Sequence, residues 1–118
     1  MEDLLCRAAT RLILPAVRIS IAQSLSKEHK YTQEQISGKL GIVQVAVSKY
    51  INGKYSREVG EVKEYIENEG LGKRILDGIV GGASLKETER RIDALCNDPE
   101  LIQFAIGEGM AINTHRGK

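Results

Sequence analysis

A chain of 118 residues with 42% hydrophobic and 28% charged side chains has the composition of a single globular domain rather than a disordered segment, and with no Trp and one Phe its core must be aliphatic. The two cysteines, Cys6 and Cys96, are far apart and form no C-x-x-C pair or zinc spacing, which argues against a disulfide framework and a metal centre. The net charge of +1 hides an asymmetry: residues 1–58 carry nine Lys/Arg and five Asp/Glu, and residues 59–118 carry eight and eleven, so a polyanionic partner would meet the first half.

Helical spacing recurs along the chain, and strand signals are nearly absent, so the expected fold class is all-α. Residues 3–13 read as a short helix, which Pro15 either interrupts or separates from a next helix that it opens. From Pro15 to about Lys30, Val17, Ile21 and Leu25 recur every four residues and make one face apolar. Thr32 is a good N-cap, and TQEQ at 32–35 has the capping-box form, with Gln35 three residues on. Ile36 and Leu40 face inward, and Gly41 ends that helix in a left-handed turn. A further helix runs over 43–52 and stops at Gly53. Val59, Val62 and Ile66 line a helix ending at Gly70, and Ile75, Leu76 and Ile79 mark another over 71–80. SLKE at 84–87 reads as a second capping box, opening a helix through Ile92 and Leu95. DPE at 98–100 supplies an N-cap, a proline at the first helical position and an acid in the first turn of a last helix bearing Leu101, Ile102, Ala105 and Ile106.

The informative stretch is TQEQISGKLGIVQVAVSKYINGK at 32–54. Two short helices that cross sharply need a small residue at their contact, a glycine at the turn and an apolar seam. Ser37, Gly41, and the set Ile42, Val47 and Tyr50 or Ile51 fill those roles. Burying Val47 then leaves Gln44, Val45, Ser48, Lys49 and Asn52 on an outer face with no core to meet.

With Thr32-Gln33, Ile36, Leu40-Gly41, Gln44, Val47-Ser48 and Asn52-Gly53 at their spacings, this stretch resembles the helix-turn-helix of the Cro and phage-repressor family of transcriptional regulators. LPAVRISIAQSL before it fits that family's first helix, and the longer stretch resembles a group of small predicted regulators common in archaea. The resemblance implies that Gln44 and Val45 open a recognition helix in the major groove, Gln44 pairing with adenine and Val45 touching a thymine methyl. It implies that Lys49 donates to guanine and that Ser48 reaches base or backbone. Gln33 matches a position that grips phosphate and braces Gln44, and Asn52 and Lys54 match phosphate-contacting positions. Two departures stand out. Val43 occupies the recognition-helix N-cap where the family has Ser or Thr, a loss of about 1 kcal/mol. Downstream of the motif, where the archaeal-type group often has a cysteine pair, this chain has only Cys96.

The expected organisation is a helix-turn-helix domain over 1–55, a C-terminal helical dimerisation or effector segment over 56–107, whose Ile75, Leu76, Ile79, Val80, Leu101, Ile102 and Ile106 either pair two copies or fold back to complete one monomeric core, and a flexible tail over 108–118. The expected partner is double-stranded DNA, bound by a homodimer at a palindromic operator as a repressor; the alternative is a protein-interaction module, such as an antitoxin or a bridging factor in transcription. No catalytic grouping and no cofactor or metal site is read. Cys6 and Cys96 read as buried small hydrophobes, and His29 and His115 have no ligand pattern around them. No apolar run approaches the roughly 20 residues of a membrane span. MEDLLCRAAT carries acids where a signal peptide would carry bases, so a cytoplasmic setting is expected.

Overall fold

The computed structural model describes the backbone of residues 2–116 and the side chains of residues 11–108. Among the described residues there are seven α-helices and no strand: α1 Glu2–Lys27, α2 Gln33–Leu40, α3 Gln44–Ile51, α4 Arg57–Asn68, α5 Lys73–Val80, α6 Leu85–Cys96 and α7 Pro99–Arg116.

Helix α1 is continuous, with Pro15 inside it, where the sequence had placed a break. An interior proline costs about 3 kcal/mol. Here Ile13, Ala16, Val17, Ile19, Ile21, Ala22 and Leu25 are all buried, and each large aliphatic side chain contributes roughly 1.5–3 kcal/mol. Burial therefore outweighs the proline. These residues surround the helix instead of lining one stripe, because α1 is the central element and packs against every other helix.

The expected caps form with one exception. The Thr32 Oγ1 accepts from the Gln35 N–H at 3.1 Å while Gln35 Oε1 accepts from the Thr32 N–H at 2.8 Å, the complete capping box at α2. At α7, Asp98 Oδ2 accepts from the Leu101 N–H at 2.9 Å. At α6 only half of the box exists. Ser84 Oγ accepts from the Glu87 N–H at 3.1 Å, but the Glu87 carboxylate turns away to Arg90 and Arg91. Two guanidinium partners one turn further on win over a neutral backbone donor. Helix α7 also runs on to Arg116, past the end expected near residue 107. Gly107 has no positive φ, so it lowers helix propensity without making the left-handed turn that would stop the helix. The sequence expectations for the side chains of Cys6 and His115 fall outside the described residues.

The core is one continuous aliphatic cluster running from Ile13 in α1 to Ala105 in α7. Val59, Val62 and Ile66 of α4 and Leu101 of α7 close on α1, and Tyr65 stacks on Phe104 with ring centroids 4.3 Å apart. Of the residues expected to supply a dimerisation surface, Ile75, Ile79 and Leu101 are buried within the chain's own core, and Leu76, Ile102 and Ile106 are half-buried against it. Val80 stays 45% exposed.

Candidate nucleic-acid interface

Helices α2 and α3 are joined by the turn Gly41-Ile42-Val43. Gly41 takes φ 66° and ψ 35°, and the N–H groups of Gly41 and Ile42 both donate to the Ser37 carbonyl, at 2.9 and 3.2 Å. The Ser37 hydroxyl donates to the Ile42 carbonyl, so a small polar residue at the crossing ties both sides of the turn together. Behind the turn stands α6: a Cβ added to Gly41 would lie 3.1 Å from Leu85 Cδ1. The positive φ favours glycine there, and the approach of Leu85 leaves a Cβ little room.

Helix α3 packs on α1 and α2. Val47 is fully buried, Ile42, Tyr50 and Ile51 are half-buried, and together they make the expected seam. The far end of α3 is held from α1. Gln23 Nε2 donates to the Tyr50 carbonyl at 2.9 Å and lies 3.3 Å from the Tyr55 hydroxyl. Neither Gln23 nor Leu85 was singled out in the sequence. Gln23 reads there as a polar residue on a surface helix, and its two partners are 27 and 32 residues away.

With Val47 inward, Gln44, Val45 and Lys49 of α3 are exposed, Val45 at 65%. Asn52 is exposed but engaged: its Nδ2 donates to the Ser48 carbonyl at 2.9 Å and lies 3.3 Å from Ser48 Oγ. Ser48 is half-buried, so it is the least available of the expected base-reading residues. Gln33 and Lys54 are exposed, and Gln33 makes no hydrogen bond to Gln44 among the described residues. Val43 caps α3 without a side-chain acceptor and is 70% exposed.

Along the segment itself the charge is one-sided, while Glu89 of α6 brings a carboxylate beside the turn, its Oε2 3.7 Å from where a Cβ on Gly41 would stand. From Gln35 to Arg57 the chain has no carboxylate and four cations, Lys39, Lys49, Lys54 and Arg57. The nearest restraint on these is the Arg57–Glu61 pair at 3.9 Å, with the arginine side chain 88% exposed, which is worth little in water. The displaced acidities lie elsewhere. The Cys96 thiol is raised by burial and then by Asp93, with Arg18 opposing; the Glu108 carboxyl is raised by desolvation and by Glu61 and Glu58, against Arg57.

Among the described residues no group of three or more His, Cys, Asp and Glu is placed to hold a metal ion, and no helix is long and apolar enough to cross a membrane. No family model matches the chain, and neither a curated protein nor a solved structure does. The chemistry of the α2–α3 surface must therefore be argued from its own residues.

Proposed function

We propose that the protein is a sequence-specific double-stranded DNA-binding regulator of transcription, a repressor of the Cro and phage-repressor type, with α3 as its recognition helix. The observation that carries this reading is the outer face of α3: Gln44, Val45 and Lys49 project to solvent while Val47 is fully buried, in a segment of cations without carboxylates. In the groove Gln44 reads adenine, Val45 meets a thymine methyl and Lys49 donates to guanine O6 or N7. Gln33 and Lys54 meet phosphate from either end of the unit, with Asn52 offering the amide oxygen that its contact with Ser48 leaves free. A homodimer would place two such helices about 34 Å apart on a palindromic site. The protein acts by binding, without a catalytic step or cofactor, in the cytoplasm.

Selection of sites from random duplex DNA tests this directly. A palindromic consensus is expected, with affinity falling steeply as salt rises. Lys49→Ala should relax choice at one base pair per half-site by about 1–3 kcal/mol. No enrichment of any sequence would refute the reading.

A second reading has its own support. Val43 and Val45, at 70% and 65%, are the most exposed of the large hydrophobic residues among those described, and both stand at the start of α3. Apolar tips of that kind also suit a protein partner, as in an antitoxin or a transcription bridging factor. Fixed-stoichiometry co-purification with a second protein, and no duplex binding at low salt, would favour it.

A further inference from the structure

A cleft of about 500 Å³ opens between α1, α4 and the start of α5, on residues that the DNA-binding reading does not use. Three lysines border it, one from each helix: Lys27, Lys63 and Lys73. Lys63 is unusual among them. Its side chain is only 14% exposed, and its Nζ donates to Glu67 Oε1 at 3.0 Å, the single acceptor it finds among the described residues. An ammonium carries three donors, so Lys63 keeps two that its pairing with Glu67 does not use. Glu28 also borders the cleft, and Glu67 is already engaged by Lys63, so the balance of charge in the lining is positive. Leu76, half-buried, supplies an aliphatic wall, and Ser20, 7% exposed, borders the cleft from α1.

The exceptional member of the lining is Gln23. Gln23 lines the cleft, and its side-chain amide holds the Tyr50 carbonyl at the end of α3 and reaches the Tyr55 hydroxyl. A ligand oxyanion that accepts from Gln23 Nε2 competes with those two acceptors. Occupancy of the cleft is thereby linked to how firmly the end of α3 is held.

We propose that this cleft between α1, α4 and α5 binds a small amphiphilic oxyanion, a phosphate or carboxylate head on a short aliphatic body, and that Gln23 transmits its binding to α3. The head pairs with Lys63, Lys27 and Lys73, and the body lies along Leu76 and the methylene stems of those lysines. The binding site stands independently of what α3 does; the consequence for DNA affinity rests on the function proposed above.

The test uses the full-length ¹⁵N-labelled protein, titrated with hexyl phosphate and with hexanoate, and with inorganic phosphate and 1-hexanol as controls. At least one of the two amphiphilic anions should saturate at millimolar concentration or below. The Gln23 side-chain amide and the backbone amides of Tyr50 and Ile51 should shift along with the lysine-bordered residues. Whichever of the two anions binds tighter identifies the head group. Lys63→Gln, checked for an unchanged circular dichroism spectrum, should weaken that anion about tenfold, the loss of one charge-assisted hydrogen bond. No saturable binding by either anion, equal binding by 1-hexanol, or equal affinity in Lys63→Gln would overturn the proposal. Inorganic phosphate binding as tightly as hexyl phosphate would overturn the amphiphilic class. Saturation without any shift at Gln23 or Tyr50 would overturn the link to α3. Duplex affinity is then measured with and without the bound anion. A chain that binds the anion but no duplex keeps the cleft and loses the DNA reading, whereas one that binds duplex but no anion does the reverse.

Discussion

Replacing Gly41 with alanine perturbs the one residue on which the crossing of α2 and α3 turns. Two costs arise. An L-residue at φ 66° carries a left-handed penalty of about 1–2 kcal/mol. The new Cβ also lies 3.1 and 3.3 Å from the two Leu85 methyl carbons, closer than ordinary contact. Leu85 is 41% exposed and can rotate away, so this second cost is the smaller, about 0.5–1 kcal/mol of lost packing. Against them stands a gain of roughly 0.4–1 kcal/mol from the stiffer unfolded chain. The net expectation is a loss of about 1–2 kcal/mol in urea unfolding at unchanged m value. A double-mutant cycle separates the terms: in a Leu85→Ala background the steric part vanishes and the backbone part remains. Gly38→Ala is the internal control. No atom comes within 4 Å of a Cβ there and the residue is helical, so it should stabilise by up to about 1 kcal/mol. Two Gly→Ala changes three residues apart should thus move stability in opposite directions. If Gly41→Ala proves neutral or stabilising, the turn does not have the geometry described, and the placement of α3 against α2 falls with it.

Two further outcomes follow from local features. Lys30 is the one non-glycine residue with positive φ among those described, at 59°, so Lys30→Gly should gain about 0.5–1 kcal/mol and raise Tm by a few degrees in calorimetry. The Glu108 carboxyl is raised from its usual 4.5 by desolvation and by Glu61 and Glu58. A carboxyl whose folded pKa is raised binds its proton more tightly in the native state, so stability falls as pH rises from the unfolded pKa through the folded one. Glu108→Gln should remove that fall, making the variant slightly more stable than the parent once the carboxyl has ionised and no different well below its titration, as read from urea midpoints across the acid range.

Much of the architecture was legible because it depends on short-range chemistry. Capping residues at Thr32, Ser84 and Asp98, the left-handed Gly41 and the four-residue spacing of Val17, Ile21 and Leu25 all act within a turn or two of themselves. The outer face of α3 was legible for the same reason, since fixing Val47 inward fixes its neighbours by helical geometry. What escaped depends on distant partners. Pro15 reads as a break because local propensity counts only its lost hydrogen bond and not the burial around Ile13 and Ile19. Glu87 reads as the second half of a capping box until Arg90 and Arg91 are seen to compete for it. Gln23 and Leu85 carry no local signal, since each matters through a residue far along the chain, Tyr50 and Gly41.

The continuity of α1 changes what the C-terminal helices are for. A helix-turn-helix domain ending at residue 55 would have to bury α1 with α2 and α3 alone. In the structure Val62, Ile66, Leu101 and Ala105 are fully buried, and α4 and α7 are packed against α1. Removing them would return the side of α1 that they cover to water. At roughly 1.5–3 kcal/mol for each large aliphatic side chain, losing three or four such burials costs as much as the 5–15 kcal/mol by which a whole domain is stable. The fragment 1–55 is therefore expected to lack cooperative thermal unfolding and to show far less helix per residue by circular dichroism than the full chain. Were that fragment to fold with a sharp transition, α4 and α7 would be an appended element, free to pair between copies. Its failure to fold would mean that the second half first serves to hold α1, and through Gln23 and Leu85 to hold both ends of α3 and its turn. Any dimer would then have to use what remains outside, of which Val80, at 45% exposure, is one large apolar residue in the second half.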